Sequence, residues 1–216
     1  MGSVSQAGFA SLDWEAAARA CDIVEFRLDA YPQSAAEVRD AMARNPRPSL
    51  LVARDPREGG LNALGLSPRL ALLQSLADDA GLVDIEIANL GLFRTVVEQA
   101  HDAEKIVVGS FHDFHGMPAL EVLRDLIAEA AASGADVVKL AVTPRSFAEV
   151  AALASLLEEP PTAPLSLMGM GEFGKISRLA LGQLGSVLNY GYLDAATVPG
   201  QWPAAKLKHL LTDLRA

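Results

Sequence analysis

Short apolar runs alternate with longer alanine- and leucine-rich stretches along the whole chain, and that alternation limits the folds open to it. Strand-like runs are read at 22–28, 49–54, 82–87, 105–111, 135–142, 164–168 and 186–190. Helical periodicity fills 12–20, 34–44, 67–80, 91–101, 119–132, 146–158, 174–183 and 203–214. Ser34 and Ser67-Pro68 suit helix starts, and Gly81 and Gly134 suit helix ends. Strict alternation of strand and helix predicts a parallel sheet, open or closed. No linker, repeat or low-complexity tract interrupts it. The proline-rich stretch at 160–164 is too short for a domain boundary, so residues 1–216 are read as a single domain.

The strands carry a second pattern that separates the two kinds of sheet. Val24, Phe26 and Leu28 alternate with Glu25, Arg27 and Asp29. Leu51 and Ala53 alternate with Val52 and Arg54, and Val83, Ile85 and Ile87 with Asp84 and Glu86. Val107 and Phe111 alternate with Ser110 and His112, and Val138, Leu140 and Val142 with Lys139. An open sheet covered by helices on both faces needs both parities apolar. A closed barrel has one face under helices and one turned to its interior, where polar groups gather at the strand C-termini. The expected fold is therefore a TIM (β/α)8 barrel. Only seven strands are evident. The eighth should precede the helix at 12–20, where Ser3-Val4-Ser5 is a poor strand, so the first strand is expected to be truncated.

Charge and cysteine content exclude several classes of function. The formal net charge is −9, which argues against a nucleic-acid or anionic-membrane surface. A single cysteine, Cys21, rules out an internal disulfide and fits a reducing compartment. No apolar run is long enough to cross a bilayer, and the N-terminus lacks the pattern of a signal peptide. A cytoplasmic protein is expected.

Chemistry concentrates at the strand ends. Lys139 sits inside the apolar run 135–142. Burial disfavours its charged form, and a neutral amine can form a Schiff base with a ketone or aldehyde. The alternatives are a lysine paired with a buried carboxylate, or one whose ammonium reaches solvent. His112, on the inward parity of its strand, has the intrinsic pKa for proton transfer near neutrality. Glu58, in the loop Arg54-Asp55-Pro56-Arg57-Glu58-Gly59-Gly60, is a candidate to orient a histidine, against the reading of a solvated charged loop. A metal site at His112, Asp113 and His115 is disfavoured, because histidines three apart at a strand end do not converge. Gly169-Met170-Gly171-Glu172-Phe173-Gly174-Lys175 approaches a phosphate loop, but Ile176 stands where a hydroxyl is needed. Its glycines are expected to approach a small ligand. Thr197-Val198-Pro199-Gly200-Gln201 has the makings of a polar lid.

Together these motifs resemble the type I 3-dehydroquinate dehydratases, from about residue 22 to the C-terminus. The resemblance is carried by Glu25-Phe26-Arg27-Leu28-Asp29, by Arg54 with Glu58-Gly59-Gly60, by His112-Asp113-Phe114, by 134–142 around Lys139, by Ile176-Ser177-Arg178 and by Pro199-Gly200-Gln201. It implies a TIM barrel that dehydrates the small molecule 3-dehydroquinate to 3-dehydroshikimate in the shikimate pathway, without metal or organic cofactor. Lys139 would form the imine, and His112, steered by Glu58, would move the proton. Arg178 and Gln201 would hold the substrate carboxylate, Thr197 (serine in most of the family) would be a further substrate-binding residue in the lid, and Glu25, Arg27 and Arg54 would bind the substrate hydroxyls. A homodimer is expected on the same ground. The competing readings are a class I aldolase or transaldolase, which also uses a barrel lysine but has no call for the arginines and clamp, and a homologue that binds ligand without catalysis.

Overall fold

The computed structural model describes residues 1–4, 12–30, 35–160, 162–196 and 198–214. Its strands are β1 (Gly2–Val4), β2 (Val24–Arg27), β3 (Ser49–Val52), β4 (Leu82–Glu86), β5 (Ile106–His112), β6 (Val137–Val142), β7 (Leu165–Gly169) and β8 (Gly191–Tyr192). Its helices are α1 (Trp14–Ala20), α2 (Ala35–Arg44), α3 (Leu66–Leu76), α4 (Arg94–Asp102), α5 (Leu120–Ala132), α6 (Phe147–Ser155), α7 (Gly174–Gln183) and α8 (Ala204–Asp213). Every strand pairing is parallel, in the order β7-β6-β5-β4-β3-β2-β1-β8. This is the (β/α)8 barrel that the alternation predicts.

The first strand is short but present. Gly2 pairs with Val24 on one side and Gly191 on the other, and Ser3 with Glu25 and Tyr192. The last strand differs from the expected 186–190. Residues 186–190 lie alongside β7 through isolated bonds, with Val187 N–H donating to Leu165 O and Ser186 Oγ bonding both backbone groups of Leu167. The ladder proper is Gly191–Tyr192, which pairs with β1. Leu188, at φ +46, interrupts the extended backbone that the apolar run suggested. Helix α3 also stops at Leu76, short of the expected 80, where a 3-10 turn at Ala77–Asp79 follows. The proposed start at Ser34 lies outside the described residues. Gly134 does end α5, at φ +95, which only glycine adopts without strain.

Parity sorts the side chains as a barrel requires. The outward set (Val24, Phe26, Leu51, Val83, Ile85, Val107, Val138, Leu140 and Leu167) belongs to the large core under the helices. Inward-facing Leu50, Val52, Leu82 and Val108 form a separate small cluster with Ile23, Val137 and Leu188. That apolar plug fills the barrel interior toward the strand N-termini. Above it the inward positions become charged or polar, so the site stands on a dry floor. Gly109 takes an outward place where a Cβ would lie 2.8 Å from the Ala135 Cβ and 3.2 Å from that of Ala130. The missing side chain is what lets α5 pack close to β5. Gly109→Val should overpack this contact and destabilise the protein by about 1–3 kcal/mol, read as a lowered Tm. An unchanged Tm would mean that α5 can move away freely.

Candidate active site

The polar inward side chains converge on a cavity of about 310 Å³ at the C-terminal mouth of the barrel. Its lining includes Glu25 and Arg27 from β2, Arg54 and Glu58 from the segment after β3, His112 from β5, Lys139 from β6, Arg178 from α7 and Gln201. Eight of the nine predicted site residues thus meet in one place. The ninth, Thr197, lies outside the described residues, although its neighbour Val198 lines the cavity. The 360 Å³ cavity at the opposite side, between Cys21, Asn189 and Lys208, holds none of them.

Lys139 is 4% exposed, so its amine has left bulk water. Its Nζ donates to Asp84 Oδ2 at 3.0 Å and stands 4.3 Å from the centre of the Tyr190 ring. Of the readings open to a buried lysine, the geometry shows the one paired with a buried carboxylate. Burial lowers the Lys139 pKa, with Arg54 acting in the same direction, while Asp84 and Glu25 oppose them. Asp84 also accepts from Arg54 at 2.9 Å and from Ser110 Oγ at 2.6 Å. Burial would raise its pKa, but Arg54 and Lys139 outweigh that and hold it low.

His112 Nδ1 lies 3.0 Å from Glu58 Oε2, and the same oxygen accepts the His112 backbone N–H at 3.0 Å. Acting as an acceptor, Glu58 assigns the proton to Nδ1 and leaves Nε2 as the basic nitrogen. Burial, and then the positive charges of Arg54, Lys139, Arg27 and Arg178, hold the His112 pKa well below its usual value, so the ring is neutral at pH 7. Burial pushes Glu58 up to about 7, with Arg54 opposing and Glu86 and Asp84 reinforcing. The loop is therefore not the solvated charged turn that its composition also allowed. Gly59 is at φ +86 with the Phe114 ring where its Cβ would be, and its carbonyl accepts from Arg27 at 3.1 Å.

Arg178 is 2% exposed, and among the described residues it has no acidic partner. One guanidinium nitrogen donates to Tyr190 O at 3.0 Å and Met168 Sδ at 3.3 Å, while Nε has no partner. Burial without a counter-charge lowers its pKa to about 10. A buried cation with an unused donor beside a cavity is a receptor for an anion.

The glycines of 169–175 serve a different purpose from the one expected. A Cβ on Gly200, at φ +84, would fall 2.4 Å from Gly171 O and 2.8 Å from Gly174 Cα, and Gly171 N–H donates to Pro199 O at 3.0 Å. They let the Pro199-Gly200 turn dock, backbone on backbone, at the start of α7. Met170 alone of that run lines the cavity. His115 is outside the cavity lining, and no group of three or more His, Cys, Asp or Glu among the described residues is arranged to hold a metal ion. No described helix is long and apolar enough to cross a membrane.

Sequence reading missed Asp84, Glu86, Ser110, Arg69 and Tyr190. Arg69, from α3, bonds Asp55 Oδ2 at 2.8 Å, Glu86 Oε2 and Ala53 O at 2.7 Å, and Glu86 in turn bonds Arg54 at 3.0 Å. Inward parity was the available signal for Asp84 and Glu86. Nothing in the helical periodicity of α3 marks Arg69, which is 1% exposed.

A lysine, a carboxylate-steered histidine and an anion receptor at the C-terminal mouth of a parallel barrel define a TIM-barrel enzyme for a small anionic carbonyl compound. Comparison with known proteins narrows the class. The family described as Type I 3-dehydroquinase matches residues 5–216. The 3-dehydroquinate dehydratase of Klebsiella pneumoniae is 34% identical over 88% of this chain and 81% of its own, and that of Methanosarcina mazei is 34% identical over 93% and 88%. The crystal structure of the Aquifex aeolicus 3-dehydroquinate dehydratase superposes with a TM-score of 0.86 at 28% identity, covering 98% of this chain and 96% of that one. This chain belongs to the type I 3-dehydroquinase family, and it is an enzyme of 3-dehydroquinate dehydration.

Two outcomes follow from the site electrostatics. Arg178→Ala should raise KM strongly, because a charge-assisted contact contributes about 1.5–3 kcal/mol; steady-state kinetics with KM unchanged would place the substrate anion elsewhere. Glu58 has a folded-state pKa raised above its unfolded value. Its contribution to stability is fully present below pH 4.5 and is lost as pH rises through about 7. Glu58→Gln should therefore gain Tm relative to the parent at pH 8 more than at pH 5. A difference independent of pH would contradict the raised pKa.

Proposed function

We propose that the dehydration runs through an imine on Lys139. The observation that carries this reading is the buried amine of Lys139 in the wall of the cavity that also holds His112. Lys139 attacks the C3 ketone of 3-dehydroquinate, and the iminium withdraws electrons so that the adjacent C2 proton becomes acidic. His112, neutral and steered by Glu58, removes that proton and then delivers one to the C1 hydroxyl, which leaves as water. Hydrolysis of the imine releases 3-dehydroshikimate and restores Lys139. Arg178 and Gln201 hold the carboxylate, and Thr197 belongs to the loop over the substrate. Glu25, Arg27 and Arg54 address the ring hydroxyls. No step calls on a metal or organic cofactor. The product belongs to the shikimate pathway, and a cytoplasmic location is part of the same proposal.

Arg27 and Arg54 are already engaged, Arg27 by a bidentate pair with Asp29 at 2.9 and 2.7 Å and Arg54 by Asp84 and Glu86. They enter the reaction as fixed donors, with little reorganisation left to do.

Borohydride reduction in the presence of substrate, followed by mass mapping, tests the imine. The adduct should map to Lys139 and vanish in Lys139→Ala; mapping to Lys175 or Lys105 would refute the assignment. His112→Ala should cut kcat by at least about 10²-fold, and His115→Ala should leave it near the parent value. Equal losses in the two variants would remove His112 from its role.

A further inference from the structure

Among the described residues, the Lys139 amine has a hydrogen bond to Asp84 and a ring contact with Tyr190. Asp84 Oδ2 lies 3.0 Å from Lys139 Nζ, and the Tyr190 ring face lies 4.3 Å away. Asp84 is 1% exposed and is absent from the cavity lining, so it meets the lysine from below and has no surface to offer the substrate. Its orientation is fixed from two further sides, by Arg54 at 2.9 Å and Ser110 Oγ at 2.6 Å, both on Oδ1. Oδ2 is left to the lysine. A carboxylate held this way cannot follow the amine if the amine swings away, and it need not, because the nitrogen stays on its side chain when it becomes part of the imine.

We propose that Asp84 is a further catalytic residue, the counter-ion that holds the iminium proton on Lys139 Nζ throughout the dehydration. The proposal rests on the imine reading above. In net terms the Lys139 ammonium and the ketone give the iminium and one water. The C–N bond forms and the C–O bond breaks. Two of the three nitrogen protons leave with the oxygen, and the third remains on nitrogen. Asp84 Oδ2 is the acceptor already in place for that third proton. A neutral imine is a poor electron sink, so the residue that keeps the nitrogen protonated sets how far up in pH the enzyme works.

The other charged and titratable groups around this nitrogen are Glu25 on β2, Arg54 after β3, His112 on β5, Tyr190 before β8 and Arg178 on α7. Of these, Glu25 acts with Asp84 in favour of a cationic nitrogen, and Arg54 acts against it. None of the others has a hydrogen bond to Nζ among the described residues. Asp84 is thus the one whose removal should change the nitrogen's affinity for its proton most directly.

The test is the pH dependence of kcat, which reports ionisations in the enzyme–substrate complex. Asp84→Asn should move the alkaline limb of kcat down by about one to three units, the usual effect of losing an adjacent opposite charge. KM should change by less than about threefold, because Asp84 does not face the substrate. Cyanoborohydride, which reduces the protonated imine, should trap less adduct at alkaline pH in the variant. A buried pair broken on one side destabilises strongly, so Ser110→Ala, which removes one tether of Asp84 and no charge, is the second variant. It should shift the same limb in the same direction by less. Parent and variants sharing one alkaline limb would overturn the role of Asp84. Absence of any Lys139 adduct in the parent enzyme would instead overturn the imine reading itself.

Discussion

Five charges of alternating sign run across the interior of this barrel: Arg69, Glu86, Arg54, Asp84 and Lys139. Each is almost wholly buried, and each neighbour in the series is bonded to the next. Isolated charges in such a place would have to neutralise or draw in water. In series, every carboxylate lies between two cations, so the row is held without solvent and the terminal lysine is left facing the cavity. The chain closes on α3 at one end, where Arg69 also stacks 5.4 Å over the Phe93 ring. Helix packing outside the barrel is in this way linked to the position of the lysine nitrogen inside it.

Burial shifts His112 and Glu58 in opposite directions, because the charged form it disfavours is the protonated one in the histidine and the deprotonated one in the carboxylate. His112 sees Arg54, Lys139, Arg27 and Arg178, and it is kept neutral. Glu58 is raised by burial, with Glu86 and Asp84 reinforcing and Arg54, the strongest charge acting on it, opposing. The shifts reverse the usual order of the two groups, so that Glu58, at about 7, lies above His112, which is held well below the ordinary imidazole value.

Much of this was legible in the sequence, because barrel geometry converts strand parity into position. Once Glu25, Arg54, His112 and Lys139 were placed on one parity, a parallel barrel had no choice but to bring them to one mouth. Parity also marked Asp84 and Glu86 as inward, but it does not say which of the inward groups meet. Their partners Lys139 and Arg69 are 55 residues ahead and 17 residues behind, and that pairing depends on the register between strands and on how α3 packs. The last strand was misplaced for a different reason. Residues 186–190 have strand-like composition, and a local left-handed turn at Leu188 overrides it. The glycines of 169–175 misled because a ligand and a neighbouring backbone both require the absence of a Cβ, and composition cannot tell one from the other.

Among the described residues, the seam between β7 and residues 186–190 is not built as a full ladder. It is held by the hydroxyls of Ser186 and Ser166, the Val187–Leu165 backbone bond and Arg178, whose guanidinium reaches Met168 on one bank and Tyr190 on the other. The anion receptor is therefore also a cross-tie. A carboxylate seated on Arg178 gives that cation the counter-charge it lacks and fastens the two banks at the same moment. If the substrate carboxylate binds Arg178 as proposed, occupancy of the pocket and the strength of this seam are linked.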